Sequence, residues 1–155
     1  MDQDWSINHV QHLSNIVDLS RLEKFTFNPD LNPALIDDTI DSINILMTLS
    51  TNLSTLAIHP YSSSTDGSMM MQDLCNIIPH HIKHLEITIR DIDSIKMILD
   101  RHEHLWSLTL LASSDQSLPW AEFIEELKNR NSDFTYWQSY YSLHIWLNPA
   151  ERLSQ

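Results

Sequence analysis

The stretch "HHIKHLEITI" (residues 80–89) carries three histidines, and from His84 onward it alternates strictly between polar and apolar residues. Histidines beside a glutamate suit a metal or acid–base site. Alternation with a period of two is instead typical of a β-strand with one buried face. We favour the strand, which divides the residues into a core-facing set and an open set: Leu85, Ile87 and Ile89 against His84, Glu86 and Thr88.

The same pattern occurs four times along the chain. An apolar residue, two variable ones, an apolar, one variable and an apolar residue recur in "LEKFTF" (22–27), "LSTLAI" (53–58), "IKHLEI" (82–87) and "LWSLTL" (105–110). The copies begin 31, 29 and 23 residues apart. Such self-similarity indicates stacked units that bury a continuous core together.

Helical patterns separate these copies. Apolar residues recur every three to four positions in residues 32–47, 91–102 and 117–130, and a shorter helix is predicted over 69–78, after an exposed loop at 59–68. Strands and helices that alternate at a repeated interval of 23 to 31 residues predict an α/β solenoid with a parallel sheet and helices on its outer face.

Two of the helix starts carry recognisable capping residues. The first helix is predicted to begin at Asn32, because Pro33 suits the first helical position. Asp91 is predicted to cap the second. For these two helices the sequence therefore predicts the first residue as well as the apolar face.

The C-terminal stretch "DFTYWQSYYSLHIWLN" (133–148) contains two alternating segments joined by "QSYY". It predicts a β-hairpin that caps the solenoid and protects its open edge. Its aromatic residues either cover that edge or form an exposed anchor for a protein partner, since tyrosine and tryptophan supply much contact area. The anchor residues would be Trp137, Tyr140, Tyr141 and Trp146.

Composition excludes several classes of function. Nine lysines and arginines against 21 acidic residues give a net charge of −12, which argues against nucleic acid and anionic membranes as partners. Gly67 is the only glycine, so a glycine-rich phosphate loop is excluded. No apolar run reaches membrane-spanning length, and the single cysteine favours an intracellular location, cytoplasm or nucleus.

Catalytic and metal sites are not favoured either. Strand positions beside His84 and Glu86 carry no good zinc ligand, although His102 and His104 could approach His80 and His81 across the repeat edge. We therefore predict surface histidines and no metal or cofactor. Cys75 lies in an apolar helical pattern and is predicted to be buried and inert. The acidic pairs at 37–38, 91/93 and 125–126 are predicted to be solvated or capping, and no residue is assigned a catalytic role.

From about residue 16 to 147 the chain resembles the leucine-rich-repeat region of F-box/leucine-rich-repeat proteins, in a divergent invertebrate form. The resemblance is carried by "NIVDLSRLEKFTF" (15–27), "CNIIPHHIKHLEITI" (75–89), "DIDSIKMILDRHEHLWSLTL" (91–110) and "DFTYWQSYYSLHIWL" (133–147). It implies substrate capture for ubiquitination. The N-terminal segment is too short for the F-box that binds the ligase adaptor, so an adaptor is expected as a partner only with an F-box upstream. A truncated or degenerate fragment is the alternative, and a metal-dependent enzyme using the histidine cluster is a less favoured one.

The resulting prediction is a non-catalytic protein-binding scaffold. Residues 1–15 form an N-terminal segment or partial repeat, 16–147 the repeat domain, and 148–155 a tail. Equivalent strand positions are expected to align in columns across the sheet: Lys24, Thr55, His84 and Ser107; Thr26, Ala57, Glu86 and Thr109; Asn28, His59, Thr88 and Leu111. The predicted partner-binding residues on the concave face and C-terminal rim are Lys24, Thr55, His84, Glu86, Thr88, Thr109, Trp137, Tyr140 and Trp146.

Overall fold

A computed structural model describes residues 7–28, 36–59, 68–113, 118–130 and 133–147. Strands and helices alternate along most of this length. In chain order the elements are α1 (Ile7–Ile16), a short 3₁₀ helix (Leu19–Arg21), β1 (Lys24–Phe27), α2 (Ile36–Leu49), β2 (Thr55–Ile58), α3 (Ser68–Ile77), β3 (His84–Ile89), α4 (Ile92–Arg101), β4 (Ser107–Ala112), α5 (Trp120–Asn129), β5 (Phe134–Gln138) and β6 (Ser142–Leu147).

The strands form one open, mostly parallel sheet in the order β1-β2-β3-β4-β6-β5. The first three pairings are parallel, as predicted, and Thr55, His84 and Ser107 are aligned across β2, β3 and β4. Parallel neighbours need a long crossover, which the intervening helices supply. The predicted columns are confirmed wherever the strand pairing covers them.

The predicted C-terminal hairpin is also present. Strands β5 and β6 pair in antiparallel fashion, and β6 lies against β4, also antiparallel. The second strand of the hairpin therefore continues the sheet, and the first, β5, forms its edge. The sheet is therefore mixed, because β6 runs in the direction opposite to its other five strands.

One face of the sheet is covered and the other is open. Leu85, Ile87 and Ile89 are almost fully buried, as the alternation predicted, and they share one core with buried helix residues such as Ile95 and Phe123. Residues that alternate with them on β3 are partly exposed. The molecule therefore has two layers, with the apolar side of the sheet packed against helices.

The predicted start of α4 and the predicted buried face of α5 are confirmed. Asp91 caps α4, where its carboxylate accepts hydrogen bonds from the backbone N–H of Ser94 at 2.8 Å and from its hydroxyl at 2.9 Å. The predicted stripe on α5 is buried. Residue Asn32 and most of the predicted loop at 59–68 lie outside the described residues.

The N-terminal segment contains a helix that was not predicted. Helix α1 begins at Ile7 and contacts α2. The predicted tail at 148–155 lies outside the described residues. Among the described helices, none combines the length and the apolar character needed to cross a bilayer.

Candidate functional site

The side of the sheet that faces away from the helices presents aligned polar and aromatic side chains, and we call it the open face. Strand register places its residues in rows that run across the strands. The first row is Lys24, Thr55, His84, Ser107, Trp146 and Thr135, and the second is Thr26, Ala57, Glu86, Thr109, His144 and Trp137. The face therefore changes from polar at β1 to aromatic at the hairpin.

Histidines tie the polar half of the open face together. The ring of His59 lies between two residues of β3: its Nε2 is 3.1 Å from the Glu86 carboxylate, and its Nδ1 is 3.1 Å from the Thr88 hydroxyl. A carboxylate can only accept, so Nε2 donates to Glu86, and in neutral His59 the Nδ1 accepts from Thr88. The neighbouring His84 contacts the Ser107 hydroxyl at 2.8 Å.

The hairpin half of the open face is aromatic. The His144 ring is 5.2 Å from the Trp137 ring and 6.4 Å from the Trp146 ring, between centroids. His144 is itself held by hydroxyl groups, 3.2 Å from Thr109 and 3.4 Å from Ser142. Trp137 is 56% exposed and Trp146 is 49% exposed, so much of each indole contacts solvent.

The turn of the hairpin adds two further exposed rings. Tyr140 is 68% exposed and packs edge-on against Tyr141, with the ring centroids 4.7 Å apart.

All nine predicted partner-binding residues lie within the described part of the chain. The strand residues among them share the open face, and Tyr140 lies at the turn between β5 and β6.

Trp106 is a surface residue that the sequence analysis did not single out. It lies just before β4, is 47% exposed, and has the Lys83 ammonium 5.6 Å from its ring centroid. The His84 ring approaches it edge-on at 6.2 Å. It occupies a variable position of the repeated motif, between the buried Leu105 and Leu108, and that position is the signal that could have identified it.

A second group of histidines, the rim histidine cluster, consists of His80, His102 and His104. The approach across the repeat edge that the sequence allowed is present, with the Nδ1 atoms of His80 and His104 3.4 Å apart. The prediction of surface histidines is wrong for His102, which is 3% exposed and contacts the Cys75 carbonyl oxygen at 2.9 Å. That carbonyl lies in the last turn of a helix, where it is available to a side-chain donor.

Burial disfavours positive charge in the rim histidine cluster. It lowers the pKa of His102, and neighbouring His80 and Arg101 act in the same direction. Burial, followed by the charges of His102, His80 and Lys83, lowers the pKa of His104 to about 4. At neutral pH both rings are therefore uncharged.

The other residues considered for catalysis are Cys75, Glu125 and Glu126, and each is either buried or paired with a cation. Cys75 is buried as predicted, and burial raises the pKa of its thiol to about 11. Glu125 and Glu126 pair with cations, Lys128 at 2.8 Å and Lys96 at 3.2 Å respectively. Among the described residues, no group of three or more histidine, cysteine or acidic side chains is arranged to hold a metal ion.

Comparison with known proteins adds no relative. No protein-family model, no curated protein and no solved structure matches this chain.

Proposed function

We propose that this protein is a non-catalytic protein-binding scaffold of the leucine-rich-repeat type, which captures a partner on its open face and on the C-terminal hairpin formed by β5 and β6. In the cell it would be the substrate-recognition part of an F-box-type ubiquitin ligase receptor. The bond-making chemistry would then belong to the ligase, and this chain would contribute selective binding.

The open face supports a binding role through its rigidity. Its strands are backed by a continuous buried core, and its histidines are held by hydroxyl and carboxylate groups of neighbouring strands. Side chains that are ordered before binding lose little conformational entropy when a partner arrives. The face is therefore suited to recognising a peptide or small domain.

The single observation that carries the proposal is the pair of half-exposed tryptophans, Trp137 and Trp146, on that face. Large exposed aromatic residues on a rigid surface are typical of interaction sites, and truncating such anchors commonly costs more than 1 kcal/mol of binding free energy. The neighbouring polar rows, which include Glu86 and His84, would add selectivity.

The test is affinity capture from source cells with quantitative mass spectrometry, using wild-type protein, Trp146→Ala and Glu86→Lys. We expect a defined set of partners that both open-face variants capture at least several-fold less efficiently. Glu122→Lys, at an exposed position on α5, is the matched charge control and should capture the same partners as wild type.

Two outcomes would contradict the proposal. Equal capture by all variants would exclude the open face as the binding surface. Capture of no specific partner would favour the alternative of a degenerate scaffold.

For the ligase role, an F-box fused upstream should promote ubiquitination of the captured partner, and Trp146→Ala in the same fusion should reduce it.

A further inference from the structure

We infer that the open face takes a cationic partner: an extended segment whose arginine or lysine side chains lie on Trp137 and Trp146 and pair with Glu86. This rests on the proposed function and gives its partner a chemical class.

The tryptophans supply the first part of the case. The electron-rich face of an indole attracts a cation, and guanidinium groups stack on it well. Trp106 already has such a partner in Lys83, at 5.6 Å. Within the described part of the chain, no lysine or arginine lies over Trp137 or Trp146, although both rings are about half exposed.

Charge supplies the second part. The net charge of −12 attracts cationic segments and repels acidic ones at long range. Glu86 lies in the same row as Trp137, and 40% of its side chain is exposed beside His59. Lys24 is the cation in the first row, and it lies on β1 at the opposite edge.

The strand spacing defines how the cations should be separated. Glu86 on β3 and Trp137 on β5 are three strand spacings apart, about 14 Å at about 4.8 Å per strand. An extended peptide rises about 3.3 Å per residue, so side chains four residues apart span about 13 Å and project from the same side. A cation pair with this spacing would reach Glu86 and the tryptophans together.

The experiment is a two-dimensional NMR titration that follows the tryptophan indole N–H signals of the full chain. The probe is a blocked nine-residue glycine–serine peptide with arginines at its third and seventh positions. We expect the indole N–H signals of Trp137 and Trp146 to change their chemical shifts as peptide is added. The chemical shift of the Trp106 signal should stay the same. Trp146→Ala and Glu86→Gln should each weaken binding about threefold to tenfold. Trp106→Phe is the matched control and should leave the affinity unchanged.

Peptide chemistry separates this inference from the proposed function. A peptide with citrulline in place of arginine keeps the shape without the charge, and it should bind at least several-fold more weakly. Equal shifts with the citrulline or a glutamate peptide would overturn the cationic preference while leaving the open face as a binding surface. Shifts of Trp137 and Trp146 that depend on protein concentration alone would assign the face to a second copy of this chain and would also overturn the inference.

Discussion

At the scale of single residues, the fold changes the chemistry of His104. Its ring lies against His80 and His102, partly buried, and its pKa is lowered to about 4 from an ordinary value of 6.5. Below pH 6.5 the unfolded chain therefore binds a proton that the folded chain excludes. The resulting loss of stability develops as the pH falls from about 6.5 to about 4.

The first prediction concerns this loss. Between pH 7 and pH 5, His104 should reduce the free energy of unfolding by about 1 kcal/mol, once solvent access to the half-buried ring is allowed for. Urea unfolding at both pH values should show a smaller decrease for His104→Gln than for wild type. His12→Gln, at an exposed position on α1, should retain the wild-type decrease, and equal decreases in all three proteins would contradict the account.

Residue-level prediction from the sequence succeeds where a period determines direction. Alternation correctly assigned His84 to the open face and Leu85 to the core, because side chains of a strand point to opposite sides. It could not determine the burial of His102, since that residue lies between a helix and a strand, where no period applies. The hydrogen bond that the His102 Nε2 donates to the Cys75 carbonyl oxygen depends on tertiary packing.

At the scale of elements, the cap of α4 links a local sequence signal to stability. The Asp91 carboxylate satisfies the backbone N–H of Ser94, one of the donors that a helix leaves unpaired at its start. Asp91→Ala should lower the free energy of unfolding by about 1 kcal/mol. Asp93 is an exposed acidic residue in the same turn without this cap, so Asp93→Ala should cost only a few tenths of a kcal/mol.

Chemical denaturation of the two variants measures the difference directly. If Asp91→Ala and Asp93→Ala lost the same stability, the side-chain cap would have no particular role. The comparison is matched because both substitutions remove one negative charge from the N-terminal turn of the same helix.

Element-level prediction was strong for strands in the repeated motif and weaker at the N-terminus. Helix α1 was missed although Ile7, Val10 and Leu13 have helical spacing, because the segment contains no copy of the repeat. Pairing of β6 rather than β5 with β4 was also beyond the sequence. Both hairpin strands alternate, so the pattern does not indicate which one joins the sheet.

At the scale of the whole molecule, the hairpin belongs to the same core as the parallel strands. Ile145 is 1% exposed and is aligned with Leu108 on β4, whereas the next residue, Trp146, is 49% exposed. The hairpin therefore contributes to folding through one face and presents aromatic rings through the other. This separation allows binding and stability to be altered independently.

Substitution at these adjacent positions should have different consequences. Ile145→Ala should destabilise the entire domain by about 2–5 kcal/mol, because it leaves a cavity in the core. Trp146→Ala should cost much less and should leave the melting transition cooperative. Thermal unfolding followed by circular dichroism tests this, and a separate early transition for the hairpin in Ile145→Ala would indicate that the hairpin is an independent unit.

The central claim is that β2 and β3 run parallel in one register and so align the residues of the open face. In a Cys75→Ala background, oxidation of Thr55→Cys/His84→Cys should form a disulfide, because aligned residues on neighbouring strands lie about 4.8 Å apart. Thr55→Cys/Thr88→Cys should not, since Thr88 lies four residues further along β3. Peptide mapping by mass spectrometry that found the second disulfide and not the first would show antiparallel pairing and would contradict the account.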